Sequence, residues 1–353
     1  MAYTTIDDPS VFFQCTLYVG NNSTQTVTHG GNSDLQADFI WGKARDDTAH
    51  SFIIDSIRGV SKRLRSSGNT AEATVNTGIT AIGSDSFAVG NDGDFNDTNI
   101  NYVTWNWKAG TAFSNDASST SIGSIDSSGS VNNDAGFSIV SWTGTGSAAT
   151  IKHGLSTVPK MIMIKNLDSA EAWPVYHIGN TSAPETEQLY LNLTNVTADS
   201  ASQWNDTAPT SSIFTVGSSS ESNKSSSPMI AYCFSEKQGY SKFGSYVGNG
   251  NANGTFVYTG FKPAWFVLKK TSATDPWLIY DNKRSPINQV QANIQANSNN
   301  AEVTNTVYLD FLSNGVKFRN TDNDGNLSGG TYIYMAFAHN PFVTSTRVPG
   351  TAQ

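Results

Sequence analysis

The sequence predicts an all-β protein made of three tandem, homologous β-sandwich units of a jelly-roll or lectin-like kind. Three observations lead there. Ser, Thr, Asn and Gly dominate a chain that has 30 glycines and only 14% charged residues, and these types favour turns over helices. The 8 Trp, 13 Tyr and 18 Phe supply far more to bury than a disordered chain carries. Finally, one set of landmarks recurs three times in the same order, which is the signature of a repeat architecture.

The repeat is visible in six places. Tyr18-Val19-Gly20-Asn21, Trp142-Thr143-Gly144-Thr145 and Tyr246-Val247-Gly248-Asn249 come first. Val27 to Gly30, Ile151 to Gly154 and Val257 to Gly260 follow, and then three short apolar runs closed by Lys43, Lys165 and Lys269. Next come strands reaching Asp55, His177 and Asp281, and after them strands containing Phe87, Phe214 and Phe318. Each unit closes on an alternating strand: Val103 to Trp107, Ile230 to Phe234 and Ile333 to Phe337. Alternation puts Val103, Trp105 and Trp107 on one face and Thr104 and Asn106 on the other. The continuous apolar runs Met161 to Ile164 and Phe266 to Leu268 suit strands covered on both faces.

The landmarks divide the 353 residues into an N-terminal segment 1–10, a first unit 11–108, a linker 109–136 rich in Ser, Asn and Gly, a second unit 137–236, a third unit 240–340 and a tail 341–353. Lys237-Gln238-Gly239 joins the last two units so closely that they should abut rigidly. The best short helix candidate is Ile57 to Leu64. Cys15 and Cys233 fall in different units and are expected to be unpaired thiols.

The net charge of −8 argues against a nucleic-acid partner, which needs clustered Lys and Arg. No apolar stretch is long enough for a membrane span, and the first residues have neither the basic nor the apolar region of a signal peptide. Synthesis in a host cytoplasm is therefore expected. The histidines show no metal-ligand spacing, and the repeat position of His29 and His153 holds Thr259 in the third unit, as a turn would allow. Asp55 and Asp281 are matched across units where the second has His177, a pattern of structure more than catalysis. With no GxSxG elbow and no strand of paired Glu, the expectation is a protein that is not an enzyme; a polysaccharide depolymerase is the alternative from another class.

Four groups of residues stand out as candidates for binding. Asp92 and Asp94, and Asp322 and Asp324, alternate around Gly like the start of a calcium loop, although the closing Glu is missing and Asp-Gly also makes ordinary hairpin turns. Calcium is the one cofactor the sequence offers. Arg58, Lys62, Arg63 and Arg65 form the one basic cluster and suit docking on an acidic neighbour. Trp204, Asn205 and Asp206 lie in a loop of Ser, Asn, Asp and Thr and are the glycan-contact candidates. Tyr3, Ile6 and Pro9 precede the first unit and are assigned to assembly.

The opening Tyr3-Thr4-Thr5-Ile6-Asp7-Asp8-Pro9, the Asn32 to Lys43 segment, Ile57-Arg58-Gly59 and Tyr102 to Gly110 together resemble virion appendage proteins of tailed phages, especially marine ones. The resemblance is specific over about residues 1–110; Ala37 departs from it, where the pattern has Pro. It implies a setting in the virion, a tail-fibre-like or receptor-binding role, and no catalytic residues. The partners implied are other virion proteins, a homo-oligomer with a trimer favoured, and host cell-surface glycans. A decoration protein on the capsid surface, or head fibre, is the second structural reading. In either, residues 1–10 would anchor the chain to the particle, the third unit would face outward, and a chain truncated before Val11 should still fold.

Overall fold

The computed structural model describes residues 3–304 and 308–351; Met1, Ala2 and residues 352–353 of the terminal segments, and 305–307 of the third unit, lie outside the described residues. The protein is all-β, and among the described residues its α-helices are five single turns of four residues each.

One strand order recurs three times. In the first unit Phe13–Val19 pairs with Asn101–Trp107, which pairs with Phe39–Ala44 and then Phe52–Asp55. In the second the order is Phe137–Thr143, Pro228–Phe234, Met161–Asn166 and Val175–His177. In the third it is Ser241–Val247, Thr331–Pro341, Phe261–Lys270 and Trp277–Asp281, with Ile294–Gln295 added outside. All these pairings are antiparallel. Each large sheet is backed by a smaller one built on Gln25–Thr28, Ala149–Lys152 or Phe256–Tyr258.

The alternation in the closing strands decides how the sheets pack. On one face Tyr102, Ala231 with Cys233, and Tyr332 with Tyr334 each meet the smaller sheet of their own unit in a separate local core. On the other face Trp105, Trp107, Tyr232, Phe234, Met335 and Phe337 enter one apolar core shared by all three units. The Trp107, Phe234 and Phe337 rings form a triangle with centroids 5.5 to 6.2 Å apart, every pair edge to face. The units are therefore closed around a common centre and are not separate sandwiches on a string. The continuous apolar runs fit this arrangement: Met161 and Met163 face the shared core, while Ile162 and Ile164 face the local one.

Two expected elements are different. Residues 109–136 are not a free linker. Thr111–Asn115 and Ser127–Asn132 form a hairpin that extends the second unit's large sheet beyond Phe137–Thr143. Strands this rich in Ser and Gly carry little apolar signal; the backbone groups of the edge they cover set their place, with Phe113 and Val131 packed on the local core. Ile57 to Leu64 is not a helix either. The Asp55 carboxylate accepts from the Ile57 and Arg58 amides at 3.0 and 2.9 Å, Gly59 follows at φ 98°, and the chain leaves as strand Lys62–Arg63. Cys15 and Cys233 are unpaired and buried, as expected, with Cys233 on the face opposite Tyr232 and Phe234.

A shared core predicts that the three units unfold together. Urea denaturation followed by Trp fluorescence should show one transition, and Phe337→Ala should lower stability by about 3–5 kcal/mol, the usual cost of emptying a large aromatic site. Separate transitions for the three units would contradict the arrangement.

Candidate functional site

The seams between units carry a cyclic set of polar contacts. The Glu72 amide donates to Leu167 O at 2.8 Å, the Thr197 amide to Thr271 O at 3.2 Å, and the Glu302 amide to Arg45 O at 2.6 Å. The lysines that close the apolar runs repeat the cycle. Lys165 Nζ reaches Asn69 O at 3.0 Å, Lys269 Nζ reaches Thr194 O at 3.1 Å, and Lys43 Nζ reaches Asn299 O at 3.1 Å. All three lysines are buried. Burial pulls each down to about 8, with nearby carboxylates opposing. A desolvated ammonium is tolerated because two or three carbonyls receive its protons.

Asp55, His177 and Asp281 occupy one position in the three seams. Asp55 accepts from Tyr232 Oη at 2.7 Å, and Asp281 accepts from Trp105 Nε1 at 3.0 Å. In the third instance the position facing the seam is Met335, which has nothing to donate. There His177 Nε2 contacts the backbone oxygen of Tyr334 at 3.0 Å. The two carboxylates are also closed from behind, by Arg58 Nε at 2.6 Å and Arg284 Nε at 2.5 Å. Burial works against the Arg58 charge, yet Asp55 beside it, with Glu72, holds its pKa above the ordinary arginine value. Arg284 also lies over the Trp105 ring, 5.6 Å from its centroid. Sequence reasoning noted the matched Asp and His and took them as structural, but missed that each faces a different unit.

The basic cluster is consumed inside the fold. Arg58 is buried on Asp55 and Glu72, Lys62 pairs with Glu72 at 3.5 Å, and Arg63 and Arg65 both grip Asp94 at 2.6 and 2.5 Å. It is thus not a free patch for an acidic neighbour. Asp94 in turn is held by two guanidinium groups, which compete with any cation there. Asp92 and Asp322 cap one-turn helices, accepting from the amides of Asp94 and Asp324 at 3.0 and 2.8 Å. Among the described residues no group of three or more His, Cys, Asp or Glu side chains is placed to hold a metal ion.

These turns serve another purpose, which the sequence did not reveal. Each ends in a buried Asn, at 96, 223 and 326, whose amide ties the loop after the opening strand. Asn96 Nδ2 donates to Ser23 O and Gly90 O, Asn223 Nδ2 to Ser147 O and Gly217 O, and Asn326 Nδ2 to Asn251 O and Asn320 O. The loop passes so close that a Cβ on Gly20, Gly144 or Gly248 would lie 2.0 to 2.3 Å from a backbone oxygen of the turn. The repeated Gly landmark records that contact.

Trp204 is not exposed. It ends the short turn Ala201–Trp204 at 2% exposure, packed edge to face on Tyr176 at 5.8 Å. Asn205 and Asp206 follow on the surface in the left-handed region, at φ 51° and 47°. The Asn205 amide closes the turn on Ala201 O at 2.9 Å. The aromatic ring and the polar tips therefore face opposite ways, so the three do not make one glycan contact.

The N-terminal segment is also part of the body. Tyr3 Oη donates to Gly260 O at 2.6 Å, Thr4 Oγ1 donates to Gln238 O at 2.8 Å, and Ile6 enters the shared core. Asp7 accepts from the Ser345 amide at 2.6 Å, and Pro9 is buried. Tyr3, Ile6 and Pro9 are thus packed largely against this chain, near the third unit, and a chain cut before Val11 loses an apolar side chain from its core.

Residues 8–341 match a family described as a domain of unknown function, DUF7483, and the chain belongs to that family. The comparison with curated proteins finds no match.

One turn is set to respond to pH. Burial, with Asp275 bonded alongside, pushes the Asp324 carboxyl up to about 7. A carboxyl raised on folding contributes stability that is present below its unfolded pKa and lost as pH rises through the folded one. The Asp324 carboxyl therefore contributes less stability at pH 8 than at pH 5, while His29, His153, His177 and His339, which burial lowers to about 4, contribute with the opposite sign. Asp324→Asn, which keeps a donor towards Asp275, should therefore raise the melting temperature relative to the parent more at pH 8 than at pH 5; melting curves of both proteins at both pH values check it.

Proposed function

We propose that this chain is a non-enzymatic structural and adhesive component of a phage virion, a tail-fibre-like appendage that contacts host surface glycans. The observation that carries the reading is the closed, near-threefold body. Three sheets share a core and are tied across every seam by buried donors, a build that suits a load-bearing particle component. The resemblance of residues 1–110 to appendage proteins supports the setting. A depolymerase would need two free carboxylates flanking a cleft, whereas Asp55 and Asp281 are buried and already bonded to Arg, amide and seam donors.

The near-threefold arrangement within one chain also favours the second structural reading. A capsid decoration protein with three similar faces would fit a threefold position on a shell as a single copy. In the fibre reading, three chains assemble about an axis. Mass spectrometry of purified particles, followed by imaging of the labelled chain, separates these. The chain should be found in virions, on the tail in the first case and on the head in the second. Its absence from washed particles would sink both.

A further inference from the structure

The repeat offers an internal comparison of the outer faces of the three small sheets. Val27, Ile151 and Val257 point into the local cores from matched strands, so the residues on either side of them point outward. In the first unit these are Thr26 and Thr28, and in the second Thr150 and Lys152. In the third they are Phe256 and Tyr258. The two rings are 43% and 51% exposed, and no other Trp, Tyr or Phe among the described residues is exposed to that degree. Thr26 and Thr28 show that the fold itself needs no ring at either place.

The neighbouring strand is fitted to the rings. Phe256 lies opposite Lys317, and Tyr258 opposite Gly315, in antiparallel register. A Cβ on Gly315 would come 2.9 Å from Phe256 Cε2, so the bare glycine lets that ring lie over the next strand. The first and second units have Ser86 and Ile213 at the place of Gly315. Tyr258 Oη lies 3.5 Å from Tyr3 Oη. The hairpin tip beside Tyr258 adds polar groups. The Asn314 oxygen accepts from the Thr259 and Gly260 amides at 3.0 and 3.2 Å, while the side chains of Ser313 and Asn314 make no hydrogen bond among the described residues. The charged side chains of this face are already engaged, Lys317 on Gly254 O and Asp310 on Arg319 Nε at 2.5 Å.

We propose that the outer face of the third unit's small sheet is a carbohydrate platform, where Phe256 and Tyr258 take the apolar faces of sugar rings in a neutral polysaccharide. The choice of a glycan rests on the appendage reading above, to which the platform gives a place on the molecule. Size points the same way. The exposed half of the two rings amounts to about 200 Å², against the ~800 Å² that each partner gives to a stable protein interface. That is too little to hold a second copy of this chain and enough to seat a disaccharide, since alternate side chains on a strand stand about 7 Å apart. Ring C–H groups pack on the aromatic faces, and the hydroxyls at the rim meet the uncommitted Ser313 and Asn314 side chains. With Lys317 and Asp310 engaged, no free charge on this face favours an acidic sugar.

The test uses the full chain and calorimetric titration with hexasaccharides of β-linked glucose, β-linked galactose, α-linked mannose and galacturonate. At least one neutral hexasaccharide should bind. Phe256→Thr combined with Tyr258→Thr, which installs the first unit's own residues, should weaken that binding about tenfold or more while the melting temperature barely changes. Tyr258→Phe, which keeps the ring, should bind within about twofold of the parent. Equal affinity of the parent and the double variant overturns the platform, as does no binding of any neutral hexasaccharide at millimolar concentration. Binding of the galacturonate hexamer alone overturns the neutral class. A dimer in sedimentation that the double variant cannot form would assign the face to a second copy and overturn the glycan. The virion reading is judged separately, because sugar binding is read on the isolated protein. A chain found in particles whose double variant binds like the parent rejects the platform alone, and a chain absent from particles that binds through the rings rejects only the setting.

Discussion

An apolar sheet face has to be kept from water, and in this protein none of the three large sheets can do that alone. Each uses one face for its own small sheet. The other face, with Trp107, Phe234 or Phe337 at its end, is dry only because the other two are present. Everything else follows from that sharing. Strand ends must stop at a seam, so the polar groups there are buried and need partners from a neighbouring unit. The lysines that end the third strands meet the need with an ammonium that feeds carbonyls on both sides. Buried charge of this kind is costly in isolation, and it persists because losing one partner would leave several acceptors unsatisfied.

The seams also show how a repeated fold absorbs divergence. Trp173 and Trp277 each donate an indole N–H across a seam, to Arg65 O at 3.1 Å and Tyr190 O at 2.8 Å. The first unit has Ser51 at that place. There a hydroxyl chain, Ser51 to Ser66 to Ala296 O, makes the crossing, and Trp41 donates to Ser66. The residue types change while the hydrogen-bond requirement is kept.

Much of the β architecture was legible in the sequence because period-two alternation and turn glycines report local geometry. What an apolar residue packs against is not local. Trp105 reads the same whether it faces its own unit or two others, so the shared core stayed hidden. Burial of polar residues was equally invisible. Arg58 to Arg65 looked like a solvated basic patch because their acidic partners, Glu72 and Asp94, lie further along the chain. Trp204 looked exposed because its neighbours are polar, although its ring fills a local core. Lys43, Lys165 and Lys269 were seen as the ends of strands, and nothing nearby in sequence shows the carbonyls they meet.

The seam position of Asp55, His177 and Asp281 bears on how such a chain can be divided or built. Each unit holds a polar seam residue, Asp55, His177 or Asp281, at one side and a closing-strand residue at the other. The first unit carries Asp55 and Trp105, a combination already realised between Asp281 and Trp105. The third carries Asp281 and Met335, so three copies of it around an axis would bury three carboxylates opposite a thioether. The second would set the Tyr232 hydroxyl against His177, a pairing the protein does not contain. Of the three repeats, only the third is not complementary to itself across this contact. The covalent joining of three units is thus what allows the third to keep residues that no symmetric trimer of it would use.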